Sequence, residues 1–267
     1  MKRLVSLSII SLSFLFLLSS CGHYNKDENH QHQSNNDYLL FATLYQQQAA
    51  ENAALAHQAF NIAKMKLDDA LRSTRLTKRL AVVVDIDETV LDNSPFEAKT
   101  ILENTQYPTY WKEWCDDVSA EPIPGAVDFL AYAESVGAEV FYITNRKEDF
   151  REVTLQNLVK FNFPFADNEH LLMKTTTSNK EPRRMKVKET HHIILLMGDN
   201  LGDFLHEFDI KDNRSRYQIV DSLKNEFGSR FIVLPNAMYG TWANNLSSKD
   251  MTKEEKIKMM RKSLKSF

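Results

Sequence analysis

Cysteine is scarce in this sequence, and so is any surplus of positive charge. Cys21 and Cys115 are the only cysteines among 267 residues, and a chain of this length can bury a sufficient core without disulfides or a structural metal. Lysine and arginine number 33 against 36 aspartates and glutamates, which leaves a formal charge of −3. Because nucleic-acid-binding proteins usually carry a basic face, we expect no nucleic acid polymer as a partner. The composition, 43% hydrophobic and 26% charged, is typical of one globular domain with appendages.

The amino terminus lacks an apolar run of the length that a membrane-spanning helix requires. Lys2 and Arg3 form a short positive region, residues 4–18 are apolar apart from serines, and small residues follow. This order predicts a secretory signal peptide over residues 1–20. The alternatives are an uncleaved anchor, or an ordinary signal beside an incidental cysteine.

Leu18-Ser19-Ser20-Cys21 resembles a bacterial lipobox, in which cleavage precedes the cysteine and its thiol receives a diacylglyceryl group. We therefore predict lipidation at Cys21 and a membrane anchor, with residues 21–37 as a flexible polar tether. The histidines of this segment leave weak metal binding as an alternative. With Cys21 modified, Cys115 is the only thiol, and acidic neighbours disfavour its thiolate, so we expect a packed cysteine.

Residues 38–245 are predicted to form one α/β domain. The stretch 38–72 has no Gly or Pro, which together with its apolar spacing predicts one long helix packed on the core or the lid, or alternatively on a partner. Its apolar stripe is Ala56, Phe60, Ala63, Leu67 and Leu71. Helical patterns at 126–135 and 148–161 alternate with apolar runs at 80–84, 138–143, 192–197 and 230–234. This alternation predicts a three-layer α/β/α sandwich around a central parallel sheet.

Residues 93–122 interrupt the alternation and are too long for a plain connection, so we predict a small helical cap. The segment is rich in aromatic residues, which form either the core of the cap or a stacking wall over a substrate base. Residues 246–267 are predicted to form a basic tail, helical or frayed.

Polar clusters follow three of the apolar runs, and in a parallel sheet ligands bind beyond these carboxyl ends. Asp85 ends the first run, where an ionised carboxylate is a candidate nucleophile toward a phosphoryl group. Asp87 is placed to protonate the leaving oxygen and later to deprotonate water, and Thr89 to brace the turn. Thr144 ends the second run and offers a hydroxyl to a phosphate oxygen.

Substrate and metal contacts are predicted from the neighbouring positions. Asn145 and Arg146 stand beside Thr144 as further substrate contacts. Asp199 and Asp203 follow the third run, and Gly198 lets the backbone approach closely. Carboxylate and carbonyl oxygens suit Mg²⁺, so the predicted metal ligands are Asp85, the carbonyl of Asp87, Asp199 and Asp203.

A lysine is needed to balance the charge of the reacting phosphoryl group. Lys180 precedes a predicted helix start and is the first candidate, with Lys174 as its rival. Each of these features alone is weak, because Asp-x-Asp-x-Thr is short and acids also cap helices. Their occurrence in one order after successive apolar runs favours a catalytic site.

Segments 84–94, 142–146 and 198–204 resemble the phosphatase branch of the haloacid dehalogenase superfamily, which has four aspartates. Together with the lipobox and segment 234–240, they are similar to the class C acid phosphatases, bacterial outer-membrane lipoproteins that hydrolyse nucleotides and other phosphomonoesters. The resemblance implies the roles given above for Asp85, Asp87, Thr144, Lys180 and the metal ligands. It also implies an aromatic side chain over the substrate base, for which Tyr239 is the candidate. Many members have Asp where this chain has Gly202.

The resulting expectation is a membrane-anchored acid phosphatase of the bacterial outer membrane. It would hydrolyse small phosphomonoesters, including 5′-nucleotides, with Mg²⁺ and an aspartyl-phosphate intermediate. A phosphotransferase or a phosphatase specific for sugar phosphates would share Asp85 and differ in the cap. A non-catalytic surface-binding lipoprotein is the alternative from another class, and it would have no use for a nucleophile.

Overall fold

The computed structural model describes residues 37–72, 78–210, 212–248 and 250–267. The predicted signal peptide, most of the tether and the lipidation site at Cys21 lie outside these residues. Within the described ranges, none of the helices combines the length and the hydrophobicity needed to cross a membrane.

A five-stranded parallel sheet forms the centre of the described domain. The strands in the described part of the chain are β1 (Arg79–Val84), β2 (Leu91–Asp92), β3 (Glu121–Pro122), β4 (Ala138–Lys147), β5 (Leu171–Lys174), β6 (His191–Gly198) and β7 (Phe231–Val233). The sheet order is β5-β4-β1-β6-β7, and each neighbouring pair is parallel. In β1 every residue except the first is buried, because a central parallel strand is covered on both faces.

Helices cover both faces of this sheet. The α-helices are α1 (Leu40–Gln48), α2 (Ala50–Arg72), α3 (Ser94–Leu102), α4 (Trp111–Asp117), α5 (Ala126–Ser135), α6 (Arg151–Lys160), α7 (Glu181–Thr190), α8 (Asn213–Ser222), α9 (Thr241–Asn244) and α10 (Lys253–Ser263). The larger hydrophobic cluster joins one face to α2, α5 and α6, and a smaller cluster joins the other face to α7. The predicted three-layer α/β/α sandwich is therefore confirmed.

The amino-terminal helix differs from its prediction because the chain breaks it in two. Ala49 between α1 and α2 has an extended backbone with ψ of 118°, and the side chain of Asn52 bonds Gln46 across the break at 3.2 Å. The inward stripe of α2 is buried as predicted up to Leu67, whereas Leu71 in its last turn is exposed. The apolar spacing located the stripe but contained no signal for the break.

The sheet differs from its prediction at two strands, of which one is longer than predicted and the other was not predicted at all. Strand β4 continues to Lys147, so Thr144 lies inside a strand whose pairing shifts register after Ile143. Strand β5 was not predicted, since Leu-Leu-Met-Lys is short and contains no β-branched or aromatic residue. It becomes a strand because it completes the edge of the sheet beside β4.

The cap consists of α3 and α4, and the antiparallel pair of β2 and β3 returns the chain to the domain. Phe96, Tyr107 and Trp111 pack edge to face with ring centroids 5.0 to 6.4 Å apart. These three rings form an aromatic cluster of the cap in which Phe96 is buried, Trp111 is partly buried and Tyr107 is exposed. Cys115 in α4 is buried, and burial raises the pKa of its thiol to about 11, which fits a packed cysteine.

Candidate active site

Three carboxylates meet at the carboxyl edge of the sheet. Asp85 follows β1, Asp199 follows β6, and Asp203 lies in the short helical turn 201–203. One oxygen of each lies within 4.8 Å of the others. Asp203 packs directly on the backbone of Gly198, where a Cβ atom would stand 2.3 Å from the Asp203 Oδ2. Glycine at this position is what allows the two loops to converge.

Lys180 supplies the positive charge of this cluster. It precedes the first residue of α7, and its buried ammonium is paired with Asp85 and lies 2.6 Å from the Oδ1 of Asp203. Burial opposes this charge, but Asp203 and Asp85 together raise the pKa of Lys180 above its ordinary value. Among the ion pairs of the described residues, it is Lys180 and not its rival Lys174 that joins the acids.

The cluster carries more negative than positive charge. When all three carboxylates are ionised, the single ammonium leaves a surplus of two negative charges. Burial raises the pKa of Asp85 to about 7, although Lys180 opposes the shift, and burial raises the pKa of Asp199 well above its usual range. Three oxygen donors at these separations, with two charges unbalanced, fit a divalent cation such as Mg²⁺.

Asp87 stands beside this cluster and is held by Arg146. The Nε and Nη2 atoms of Arg146 lie 2.9 and 2.8 Å from the Asp87 Oδ1, and the Thr144 hydroxyl lies 3.4 Å from the Oδ2. The guanidinium of Arg146 is buried, with a side-chain exposure of 2%. Its donors are directed to Asp87, Asn93 and Thr154, and a contact of Arg146 with substrate stays a prediction.

The remaining predicted residues lie around this centre. Asn145 is exposed, and its Oδ1 accepts a hydrogen bond from Arg183 at 2.8 Å. Thr144 is fully buried, and its Oγ1 accepts the backbone N–H of Arg146 at 3.0 Å. The predicted brace through Thr89 is not observed, since its buried hydroxyl has no hydrogen-bond partner among the described residues.

Asn236 connects Asp199 to the segment that carries Tyr239. Its Nδ2 donates to the Asp199 Oδ2 at 2.8 Å, and its Oδ1 accepts the backbone N–H groups of Met238 and Tyr239. Tyr239 is partly buried, and its contact with a substrate base stays a prediction. The role of Asn236 was missed, although the segment that contains it was singled out from the sequence.

Arg184 holds the turn that carries Asp203. It is almost fully buried, its Nη1 donates to the carbonyls of Gly202 and Asp203 at 3.2 and 2.7 Å, and its Nη2 pairs with Glu181 at 2.6 Å. Beside it, the Oδ1 of Asp209 lies 2.5 Å from the place of a Cβ atom on Gly202. Asp209 thus occupies the space that a side chain at position 202 would need.

A parallel sheet with paired aspartates after its central strand, and a lysine and two more aspartates converging on them, is the arrangement of a haloacid dehalogenase fold. The family described as "HAD superfamily, subfamily IIIB (Acid phosphatase)" matches residues 21–242. The chain belongs to this family.

Solved structures of the family superpose closely on this chain. The class C acid phosphatase from Bacillus anthracis is 40% identical, with a TM-score of 0.84, over 88% of this chain and 99% of that one. A second structure of that protein, with tungstate bound, is 42% identical, with a TM-score of 0.84, over 87% and 98% of the two chains.

Curated relatives from plants are more distant. Acid phosphatase 1 of Solanum lycopersicum is 26% identical over 46% of this chain and 51% of its own length. Vegetative storage protein 2 of Arabidopsis thaliana is 24% identical over 64% of both chains. The chain thus spans between half and two thirds of the length of these plant relatives.

Proposed function

We propose that this chain is a Mg²⁺-dependent acid phosphatase that hydrolyses small phosphomonoesters, 5′-nucleotides among them, through an aspartyl-phosphate. The observation that carries the proposal is the buried cluster of Asp85, Asp199 and Asp203 around Lys180, with Asp87 beside it. The relative from Bacillus anthracis with tungstate bound supports an oxyanion ligand, because tungstate is tetrahedral like phosphate.

Asp85 and Asp87 divide the chemistry between them. The ionised carboxylate of Asp85 attacks phosphorus, and the bond between phosphorus and the leaving oxygen breaks. Asp87 in its protonated form gives its proton to that oxygen. In the second step the ionised Asp87 takes a proton from water, which attacks the phosphorus of the aspartyl-phosphate, releases phosphate and restores Asp85.

Lys180 and Thr144 are proposed to contact the non-bridging phosphate oxygens. The ammonium of Lys180 already lies between two carboxylates at the centre of the site, and charge balance is the main demand of phosphoryl transfer. The residues that would hold Mg²⁺ are Asp85, the carbonyl of Asp87 and Asp199, with Asp203 in support. The cation would supply the positive charge that relieves repulsion between a carboxylate and a phosphate.

Phosphate release from small phosphomonoesters, measured with Mg²⁺ on wild type and Asp85→Asn, tests the mechanism. We expect Asp85→Asn to lose activity by at least about 10³-fold, as enzymes do when a nucleophile is removed. The matched control is Asp221→Asn, an exposed aspartate on α8, which should keep wild-type activity. Substantial turnover by Asp85→Asn would exclude the covalent route.

The proposed location is the bacterial outer membrane, through a lipid on Cys21 after removal of residues 1–20. The support is the order of charged, apolar and small residues before Cys21. Cys21→Ser should release the protein from the membrane fraction in soluble form. Persistent membrane association of that variant would contradict the lipid anchor.

A further inference from the structure

We propose that Arg146 is a positioning residue that fixes which oxygen of Asp87 carries the transferable proton, and that cap helix α4 acts on the same oxygen through Asn93 and Trp114. This inference rests on the proposed function, in which Asp87 is the proton donor.

The first observation is the crowding of donors on one oxygen of Asp87. The Oδ1 atom faces the Nε and Nη2 of Arg146 at 2.9 and 2.8 Å and the Nδ2 of Asn93 at 2.9 Å. An oxygen that accepts two N–H groups and also lies 2.8 Å from a guanidinium nitrogen has no place for a proton of its own. The proton of the acid form therefore resides on Oδ2, which faces the Thr144 hydroxyl at 3.4 Å.

The second observation is that the orientation of Asn93 is determined by its neighbours. Its Oδ1 accepts from Trp114 Nε1 at 2.7 Å and Arg146 Nη2 at 3.3 Å, while its Nδ2 donates to Asp87. Its backbone N–H is held by the buried carboxylate of Glu88 at 2.7 Å. A rotated amide would place its oxygen against a carboxylate and its NH₂ against two donors. The indole N–H of Trp114 thus helps keep the Asn93 amide directed at Asp87.

The third observation is that α4 contacts both supports of Asp87. Trp114 bonds Asn93, and the ring of Trp111, one turn earlier in α4, lies with its centroid 5.5 Å from the guanidinium carbon of Arg146. The hydroxyl of Thr154 in α6 accepts a hydrogen bond from the Arg146 Nη1 at 3.3 Å, so the guanidinium is also held by α6. Asp87 is consequently connected to cap helix α4 through the side chains of Asn93 and Arg146.

Varying only the leaving group of the substrate separates a loss of proton donation from a loss of activity caused by a disturbed active-site structure. Phenyl phosphate and p-nitrophenyl phosphate have similar shapes, but the phenyl compound needs more protonation of its leaving oxygen. The ratio of their kcat/KM values reports on the first phosphoryl transfer, whatever limits the second step. A merely structural role would lower both values together.

We expect Arg146→Met to lower kcat/KM for phenyl phosphate by about 10²-fold and for p-nitrophenyl phosphate by less than about tenfold. Trp114→Phe, which keeps one aromatic ring and removes the indole N–H together with the second ring, should show the same selectivity at about a tenfold loss. Arg146→Lys keeps a charge within reach of Asp87 and should recover part of the loss. The matched control is Trp111→Phe, which keeps a ring facing Arg146 and should change the ratio by less than about twofold.

Asp87→Asn in the same assay separates the proton-donor role of Asp87 from the positioning role of Arg146 and Trp114. If Asp87→Asn is selective against phenyl phosphate while Arg146→Met and Trp114→Phe lower both substrates equally, the inference is overturned and the proposed function stands. If Asp87→Asn itself shows no selectivity, the proton-donor role fails and the inference fails with it. Thermal melting will show whether Arg146→Met folds. If it does not, the ratio of kcat/KM values for Trp114→Phe and Arg146→Lys tests the positioning role instead.

Discussion

The two ends of the central sheet both bury charge, but they balance it differently. At the carboxyl end, three aspartates share one lysine. At the amino end, Glu139 is surrounded by Arg79, His170 and His191, and His170 also meets Asp167. The amino end contains a basic partner for each acid, whereas the carboxyl end needs a further cation. Uncompensated burial of like charge therefore distinguishes the end of the sheet that carries the proposed active site.

The amino-end cluster ties together strands that are distant in sequence. Glu139 in β4 accepts from His191 in β6 at 2.9 Å and lies 3.3 Å from His170 just before β5, while Arg79 in β1 pairs with its other oxygen. The ring of Phe141 contacts both imidazoles at 4.8 and 4.9 Å. Burial alone would raise the pKa of Glu139, but the two histidines and Arg79 hold it below its ordinary value. The charged groups at this end therefore stabilise the folded sheet.

Removal of divalent cations should produce the largest difference between the two ends. We expect chelation by EDTA to lower phosphate release by about 10³-fold or more and added Mg²⁺ to restore it, because the carboxyl end holds two surplus negative charges. Mg²⁺ should also raise the Tm of wild type, and much less that of Asp199→Asn. Full activity in EDTA would contradict a metal site at this end.

Without a bound metal, the surplus negative charge should lower the free energy of unfolding. Since the pKa of Asp85 is raised to about 7 in the folded state, its contribution to stability is present at low pH and is lost as the pH rises through 7. In EDTA, Asp85→Asn should therefore be more stable than wild type at pH 8 by roughly 2–4 kcal/mol. Urea unfolding at pH 4 and pH 8 measures this, and the two proteins should converge at pH 4.

Equal stability of Asp85→Asn and wild type at both pH values would show that the buried carboxylate is already compensated within the chain. The Asp221→Asn variant on α8 serves as the control for removal of an acid that is exposed.

The third prediction concerns the balanced end. Glu139→Gln should lower the free energy of unfolding at pH 6 by about 1–3 kcal/mol, because three basic partners lose their counter-charge. The pKa of Glu139 is lowered by folding, so this stabilisation is present above its ordinary pKa and disappears as the pH falls through the folded value. Glu189→Gln, an exposed glutamate on α7, is the control.

The activity of Glu139→Gln at a temperature where it is folded should stay within about twofold of wild type, because the cluster lies at the opposite end of the strands from Asp85. A loss of kcat comparable to that of a site variant would show that the two ends are coupled.

The smallest effect is expected at Cys115, which belongs to neither end. With the pKa of its thiol raised to about 11, Cys115 stays neutral and unreactive at working pH. Cys115→Ala should keep activity within about twofold and lose about 1 kcal/mol of stability through a small cavity. Iodoacetamide should leave the folded enzyme active, and rapid inactivation in wild type but not in Cys115→Ala would contradict this assignment.

The strands and acids of the site were predictable because their signals are local. A buried parallel strand is a continuous apolar run, and a carboxylate directly after such a run must lie at the ligand-binding edge. This reasoning located Asp85, Asp199 and Thr144, and it placed Lys180 before a helix. The break at Ala49 and the edge strand β5 were not predictable, since both depend on neighbours that periodicity does not describe.

The sequence by itself determined four of the five strands of the central sheet, the order of the acids along its edge and the family to which they belong. The tertiary structure alone decided the partners of each side chain. Arg146 was predicted as a substrate contact because it follows Thr144, and the fold directs its guanidinium to Asp87 and Asn93. Asn236 and Glu139 gained their partners in the same way. Hydrogen bonds depend on distance and direction in space, and a buried charge is satisfied by whichever groups the fold brings within reach.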